Sequence, residues 1–516
     1  GATDVDGTLI ISSGTYNADG ASDIDGTLSI TGTGVYDADN TFTAASGNVT
    51  FTGAGFLRCN NTVTDLGTLS TGAGTVEYDG GAQDVFADDY YNLEIDQAGT
   101  KTAQGAVNVN GTMTVQSTGT PVYDVAATTT TVTGTSTIAG TLNINGSGVY
   151  DGNGDFAASG AITMSGTARL QLSAANSGVS SLGNLTSSAG TVEYDGGTQN
   201  VLADVYNNLE IDQAGTKTAQ GAVTVNGTMT VQSTGTPVYD VAATTTTVTG
   251  TSTIAGTLNI NGSGVYDGNG DFAASGAITM DGTARLQLSA AGSGVSNLGT
   301  LDNAAGTVEY DGGTQTVLSD NYFNLEIDES GVKTAGGALD IDGDLTVTAG
   351  ELAMTSSNAD VASAKTVDID GTLSISSGVF TANGPTDIDG TLSITTTGVY
   401  DANNTFTALS GIVNFDGAGF LRCSNTVSSL GALSTDNGTV EYDGGTQDVL
   451  ADTYNNLEID QAGTKTAQGA VTVNGTMTVQ STGTPVYDVA ATTTTVTGTS
   501  TIAGTLNING SGVYDG

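Results

Sequence analysis

Gly140-Thr141-Leu142-Asn143-Ile144-Asn145-Gly146 is the stretch on which the fold turns. Successive side chains of an extended chain point to opposite faces. Leu142 and Ile144 therefore share one face, and Thr141, Asn143 and Asn145 share the other. Glycine bounds the run at both ends, the mark of a short strand between turns. Gly160-Ala161-Ile162 restarts the pattern. Asp4-Val5-Asp6-Gly7-Thr8-Leu9 is answered by Asp23-Ile24-Asp25-Gly26-Thr27-Leu28, and Tyr16 by Tyr36, at nearly the same interval. Val107, Val109, Met113 and Val115 alternate in the same way around Gly111-Thr112. No stretch carries the i, i+3, i+4, i+7 apolar spacing of a helix.

Strands this short cannot bury a core singly. Stacked coil on coil they can, each hydrogen-bonding to the next at a spacing of about 4.8 Å. The pattern predicts an all-β chain, a parallel β-helix (β-solenoid) of roughly 20-residue coils with about 26 coils in a rod on the order of 125 Å long. The alternative is a string of tandem small β-sandwich domains, one to each interval of the longer repeat.

That longer repeat overlies the short one. Val-Glu-Tyr-Asp-Gly-Gly begins at Val76, Val192, Val308 and Val440, so two equal intervals are followed by a longer one. Cys59 and Cys423 recur in matching Phe-Leu-Arg-Cys contexts, and residues 206–268 and 454–516 are identical. The chain divides into a partial Cys-containing unit (1–75), repeat units 76–191 and 192–307, a unit 308–439 with a 16-residue insertion, and a partial unit 440–516. A 116-residue unit is expected to hold about six turns, and the insertion nearly one more. The whole reads as a window on a longer array.

Composition narrows the function. With 9 Lys and Arg against 54 Asp and Glu the net charge is −45, which excludes a nucleic-acid binder. No apolar run is long enough to insert in a membrane as a helix. There is no His, so neither a histidine base nor a histidine metal ligand is available. Carboxylate-pair catalysis remains conceivable, but a catalytic site should be unique and every acidic motif here recurs with its repeat. The chain is expected not to be an enzyme.

The run Gly190-Thr191-Val192-Glu193-Tyr194-Asp195-Gly196-Gly197-Thr198-Gln199, then Tyr206-Asn207-Asn208-Leu209-Glu210-Ile211, Gly215-Thr216-Lys217-Thr218 and Val223-Thr224-Val225-Asn226-Gly227-Thr228, resembles the repeats of giant surface proteins of Bacteroidota. Such proteins are typically exported by the type IX secretion system and include adhesins and filamentous appendages. The resemblance covers the whole chain and implies an extracellular, cell-surface location and a structural or adhesive role.

Several residues invite chemistry. The Asp-x-Asp-Gly pairs Asp4/Asp6, Asp23/Asp25, Asp340/Asp342, Asp368/Asp370 and Asp387/Asp389 put both carboxylates on one face, and stacking would crowd successive pairs. Ca²⁺ would relieve that repulsion; the bland reading is a solvated acidic surface. Asp151, Asn153 and Asp155, repeated as Asp267, Asn269 and Asp271, resemble half of a calcium loop but lack its later ligands. Cys59 and Cys423, too far apart in a solenoid to join, are either buried thiols or cross-links to neighbouring chains in a homo-oligomeric bundle. Phe86, Tyr90 and Tyr91, in predicted loops, offer apolar surface for such bundling. Lys101, Lys217, Lys333 and Lys465, and Arg58, Arg169, Arg285 and Arg422, are expected to pair with nearby carboxylates. Tyr78, Tyr194, Tyr310 and Tyr442 would either stack on glycans of a bound surface or fill the core. The Thr128–Thr133 run raises an ice-binding face against ordinary strand propensity.

Overall fold

The computed structural model describes residues 1–516 other than 303, 356 and 364. The chain forms two compact units, Gly1–Asn259 and Ile260–Gly516. Each is a parallel β-solenoid built of coils of the expected length. In the first unit the chain visits three sheets in turn. Thr3–Asp4, Thr8–Ile11 and Thr15–Ala18 are followed one coil later by Ser22–Asp23, Thr27–Gly32 and Val35–Ala38. Each strand pairs in parallel with its counterpart, Thr3 with Ser22, Leu9 with Leu28 and Tyr16 with Tyr36. The second unit repeats this arrangement: Leu373 pairs with Leu392, Phe380 with Tyr400 and Asp387 with Thr407. These pairings run between coils, so tandem sandwiches are excluded. Among the described residues there is no helix, and hence none long and apolar enough to cross a membrane.

The alternation read from sequence sets the core. Leu57, Val76, Leu93 and Met113 are register partners on successive coils, and all are buried. A fully buried aliphatic side chain contributes about 1.5–3 kcal/mol, so the ladder itself is the stabilising unit. The Asp-x-Asp-Gly turns explain their glycine. A Cβ on Gly26 would lie 2.0 Å from the Gly7 carbonyl oxygen of the coil beneath, and one on Gly390 2.1 Å from that of Gly371.

The 116-residue repeat is not a whole number of coils. Val76 sits on a ladder that runs through Leu93, Met113, Ser136, Phe156 and Val179. The next copy of the motif, at Tyr194, instead continues the ladder Val109–Val132–Gly152–Leu172 on the neighbouring face. The repeat therefore falls one face short of six coils, because its coils are uneven: the one from Val76 to Leu93 is short and the one from Met113 to Ser136 long. In the second unit the ladder from Val308 passes Leu325, Leu345, Val367, Thr386 and Phe406 to Val427 before the motif returns at Val440. The 16-residue insertion thus adds one coil.

Candidate functional site

The repeated motif builds a corner of the solenoid. Val76 and Tyr78 point inward from the strand Thr75–Tyr78, and the chain then turns through Asp79-Gly80-Gly81. The Tyr78 hydroxyl lies 3.0 Å from that of Tyr90 and accepts from the Phe86 amide (3.1 Å), while Tyr90 donates to the Phe86 carbonyl (2.6 Å). Gln83 accepts from the Gly80 amide at 2.8 Å and donates to the carbonyls of Cys59 and Asn61, each at 2.7 Å. The side chains of Tyr78, Gln83 and Tyr90 thus all have partners, as burial requires. The equivalents Gln199, Gln315 and Gln447 bracket their turns in the same way.

The lysines depart from expectation. Lys101, Lys217, Lys333 and Lys465 are fully buried. None of them forms an ion pair among the described residues. Lys101 Nζ donates to the carbonyl oxygens of Asp96 (2.6 Å) and Gln97 (2.8 Å), and Lys465 to those of Asp460 (2.5 Å) and Gln461 (2.9 Å). Gln97 and Gln461 hold positive φ, at 56° and 55°. The ammonium gathers the carbonyls of a left-handed turn that a non-glycine residue adopts only at a cost. Burial lowers the pKa of all four, that of Lys217 to about 8.

The arginines pair as the sequence predicts, in two ways. Arg169 Nη2 lies 2.5 Å from Glu193 Oε2 and 2.7 Å from Glu210 Oε2, and Gln171 donates to Glu193 at 2.9 Å. Arg285 repeats this with Glu309 and Glu326. Arg58 and Arg422 each form an ion pair with one glutamate, Glu77 (2.8 Å) and Glu441 (2.9 Å). Burial pushes both of these carboxyls up to about 7 against the pull of the guanidinium. Asp79 is raised to about 6, by burial first and then by Asp37. Its Oδ1 is buried with no partner, whereas Asp195, Asp311 and Asp443 accept from Ser173, Ser289 and Ser424.

Stacking brings some of the proposed Ca²⁺ ligands together. Asp23 pairs in register with Asp4, and Asp368 with Asp387. The Asp368 carboxyl is raised by burial and by Asp370, Asp387 and Asp389. Asp25 and Asp6 precede stacked glycine turns. Asp151 accepts from the side chains of Asn153 and Thr131, while Asp155 is exposed at the start of the next strand; Asn269 and Asp271 are likewise exposed. Among the described residues, two groups bring three carboxylates within 4.8 Å of one another: Glu193, Glu210 and Asp212, and Glu309, Glu326 and Asp328. None of the sixteen residues considered for Ca²⁺ belongs to either, and Arg169 and Arg285 already supply each group with a cation.

Cys59 and Cys423 are free thiols, 1% exposed. Cys59 stacks on Tyr78 just as Leu172 stacks on Tyr194, so the thiol stands where other repeats place leucine. A cross-link to another chain would first require the coil to open. Tyr78, Tyr194, Tyr310 and Tyr442 are wholly buried, which removes them as glycan platforms. Tyr90 is buried too, leaving Tyr91 exposed and Phe86 half-buried. Thr130 points inward to the Tyr123 hydroxyl (2.7 Å), and the ladder neighbours of outward Thr131 are Asn108 and Asp151. The outward side of this run therefore carries no threonine ladder of the kind an ice-binding face needs.

Two versions of the corner exist. In the repeats at Gln199 and Gln315 a backbone rung closes it: Asn176 donates to the Thr198 carbonyl (2.6 Å) and accepts from the Asn200 amide (2.9 Å), and Gly292 does the same with Thr314 and Thr316. In the Cys-containing corners the ladder Phe42–Val63 stops before Gln83, and Phe406–Val427 stops before Gln447. Among the described residues no backbone hydrogen bond joins Ala82 or Asp84, nor Thr446 or Asp448, to the preceding coil.

The chain is a β-solenoid repeat protein. No protein-family model and no curated protein matches it, so its function must be argued from these corners.

Proposed function

We propose that this chain is a shaft segment of an extracellular cell-surface filament or adhesin, a mechanical spacer for attachment, gliding or prey capture, of the kind that Bacteroidota export by type IX secretion. One observation carries the reading. The residues the repeat preserves in every copy (Tyr78, Gln83, Tyr90, Lys101 and their equivalents) are buried and serve the fold: the tyrosines and lysines close turns within a coil, and the glutamines tie one coil to the next. A sequence copied for such residues is copied for the array. Parallel ladders place backbone bonds in series along the stacking direction, and in repeat proteins interfaces between neighbours carry stability. On this reading no residue of the chain has a catalytic role. The proposal extends to side-by-side bundling of identical chains, which a net charge of −45 opposes unless cations screen it.

Single-molecule pulling from the two termini tests the reading. A shaft unravels coil by coil, each step releasing the length of a single coil, at forces well above those of a soluble helical domain. Unravelling at low force without steps would end the mechanical interpretation. Sedimentation with and without Ca²⁺ tests bundling.

A further inference from the structure

The missing rung leaves a cleft at both Cys-containing corners, and we propose that these two clefts bind a neutral saccharide. In the first unit the cleft has a volume of about 420 Å³ and is lined by Asn60, Asn61, Thr62, Asp84, Thr100 and Thr102, with the backbone at Ala82. In the second unit the equivalent cleft, about 540 Å³, is lined by Asn425, Thr426, Thr446, Asp448 and Gln468, with Val427 and Leu450 as its apolar members. Both volumes lie within the usual range of small-ligand sites, roughly 300–1,000 Å³. This inference goes beyond the shaft reading and does not depend on it.

Three observations identify the ligand chemistry. First, the closed corners show what the edge accepts. There a single residue supplies one acceptor, to the Asn200 amide, and one donor, to the Thr198 carbonyl. At the open corners the corresponding Asp84 amide and Ala82 carbonyl face the cleft, and adjacent hydroxyls of a sugar ring supply the same pair. Second, the lining changes together with the opening. Asn61-Thr62 and Asn425-Thr426 stand where the closed repeats have Ala174-Ala175 and Ala290-Ala291, and Asp84 and Asp448 where they have Asn200 and Thr316. Each of these carboxylates is held at one oxygen by a glutamine amide, Gln104 to Asp84 at 2.7 Å and Gln468 to Asp448 at 2.6 Å, leaving the other oxygen free to accept from a hydroxyl. Third, charge and polarity exclude the competitors. The one charged side chain in each lining is a carboxylate, so phosphate, sulfate and uronic acids are repelled. Of apolar side chains the first cleft offers only Ala82, and the second only buried Val427 and half-buried Leu450, too few to seat the alternate side chains that give strand-edge peptide docking its specificity.

The test uses the whole chain on an array of neutral and anionic oligosaccharides, followed by calorimetry with the strongest neutral binder. Saturable binding at two sites per chain is expected. Asp84→Ala with Asp448→Ala should weaken it by about tenfold or more, the loss of a hydrogen bond to a charged group. Thr62→Trp with Thr426→Trp, at two exposed positions, should block it while leaving the melting temperature unchanged; this pair decides the matter if the aspartate variants prove unstable. No neutral oligosaccharide binding, binding untouched by the tryptophan pair, or capture of peptides in place of sugars by a random peptide library would each overturn the proposal.

Discussion

The corner at Gln83 and the corner at Gln199 lie in the same unit, share the Val-Glu-Tyr-Asp-Gly-Gly motif and the same tyrosine pair, and are held shut by different means. At Gln199 a backbone rung through Asn176 and a glutamine bracket act together. At Gln83 the bracket alone spans the gap. The arginines follow the same division: Arg169 joins two glutamates and Arg58 one. A repeat can therefore keep its buried lock and vary its outer edge. The lock fixes the fold, and the edge is where copies differ in what they present.

The largest effect expected from this contrast is at the glutamines. Gln83→Ala strands the Gly80 amide and the Asn61 carbonyl, leaves the Cys59 carbonyl only the Asp79 amide at 3.3 Å, and should cost about 2–4 kcal/mol locally. Gln199→Ala should cost less, because the Asn176 rung remains. Amide exchange at Gly80 and Gly196 measures both, and equal costs would show that the rung contributes nothing. Next come the arginines. Arg169→Ala leaves Glu193 and Glu210 unpaired in a mostly buried setting and should cost about 2–3 kcal/mol, allowing for the partial exposure of the guanidinium. Arg58→Ala should cost about 1 kcal/mol, since Glu77 can take up a proton instead. Local exchange at the two strands reads the difference.

The pH response should be smaller and should favour acid. Glu77 at about 7 and Asp79 at about 6 are raised above their ordinary values in the folded state. Their contribution to stability is thus full below the unfolded carboxyl range and is lost as pH rises through about 7. Protection of the Phe56–Tyr78 corner should grow as pH falls from about 8 to about 5, more than at the Arg169 corner, where burial also raises Glu193 but Arg169 and Gln171 both pull against it. A corner that loosens on acidification would contradict the assignment. Least visible will be the thiols. Burial raises both thiol pKa values well above the ordinary range, and alkylation of the native chain should proceed only at the rate of local opening. Fast labelling, or a disulfide-linked dimer on a non-reducing gel, would restore the cross-link.

The solenoid is legible in the sequence because glycine-bounded alternation, returning at a nearly constant short interval, admits few other folds. The phase is not. Short coils such as Val76 to Leu93 and long ones such as Met113 to Ser136 average to the expected length, and only the strand register shows that the 116-residue repeat ends one face early. The buried lysine is legible in principle. In Gly99-Thr100-Lys101-Thr102-Ala103 the alternation puts Lys101 on the inward side with Ala103, but an acidic chain invites one to read every lysine as a surface partner. The stacked aspartates follow from the period, whereas the tighter carboxylate groups at Glu193 and Glu309 do not, since Glu193 meets Glu210, and Glu309 meets Glu326, across a short coil that the average interval does not align. The missing rung does leave a trace in the sequence: Asn-Thr in place of Ala-Ala beside each cysteine corner.

Because the 116-residue copy that begins at Val76 stops one face early, duplication of that block does more than lengthen the chain. Within the first unit a feature tied to the repeat at Val76 moves to the neighbouring face at Val192, while a whole added coil would return it to the same face. Recombination among near-identical copies would therefore choose the face on which a decoration appears as well as the number of coils beneath it, and the 16-residue insertion, one coil, changes the second without the first.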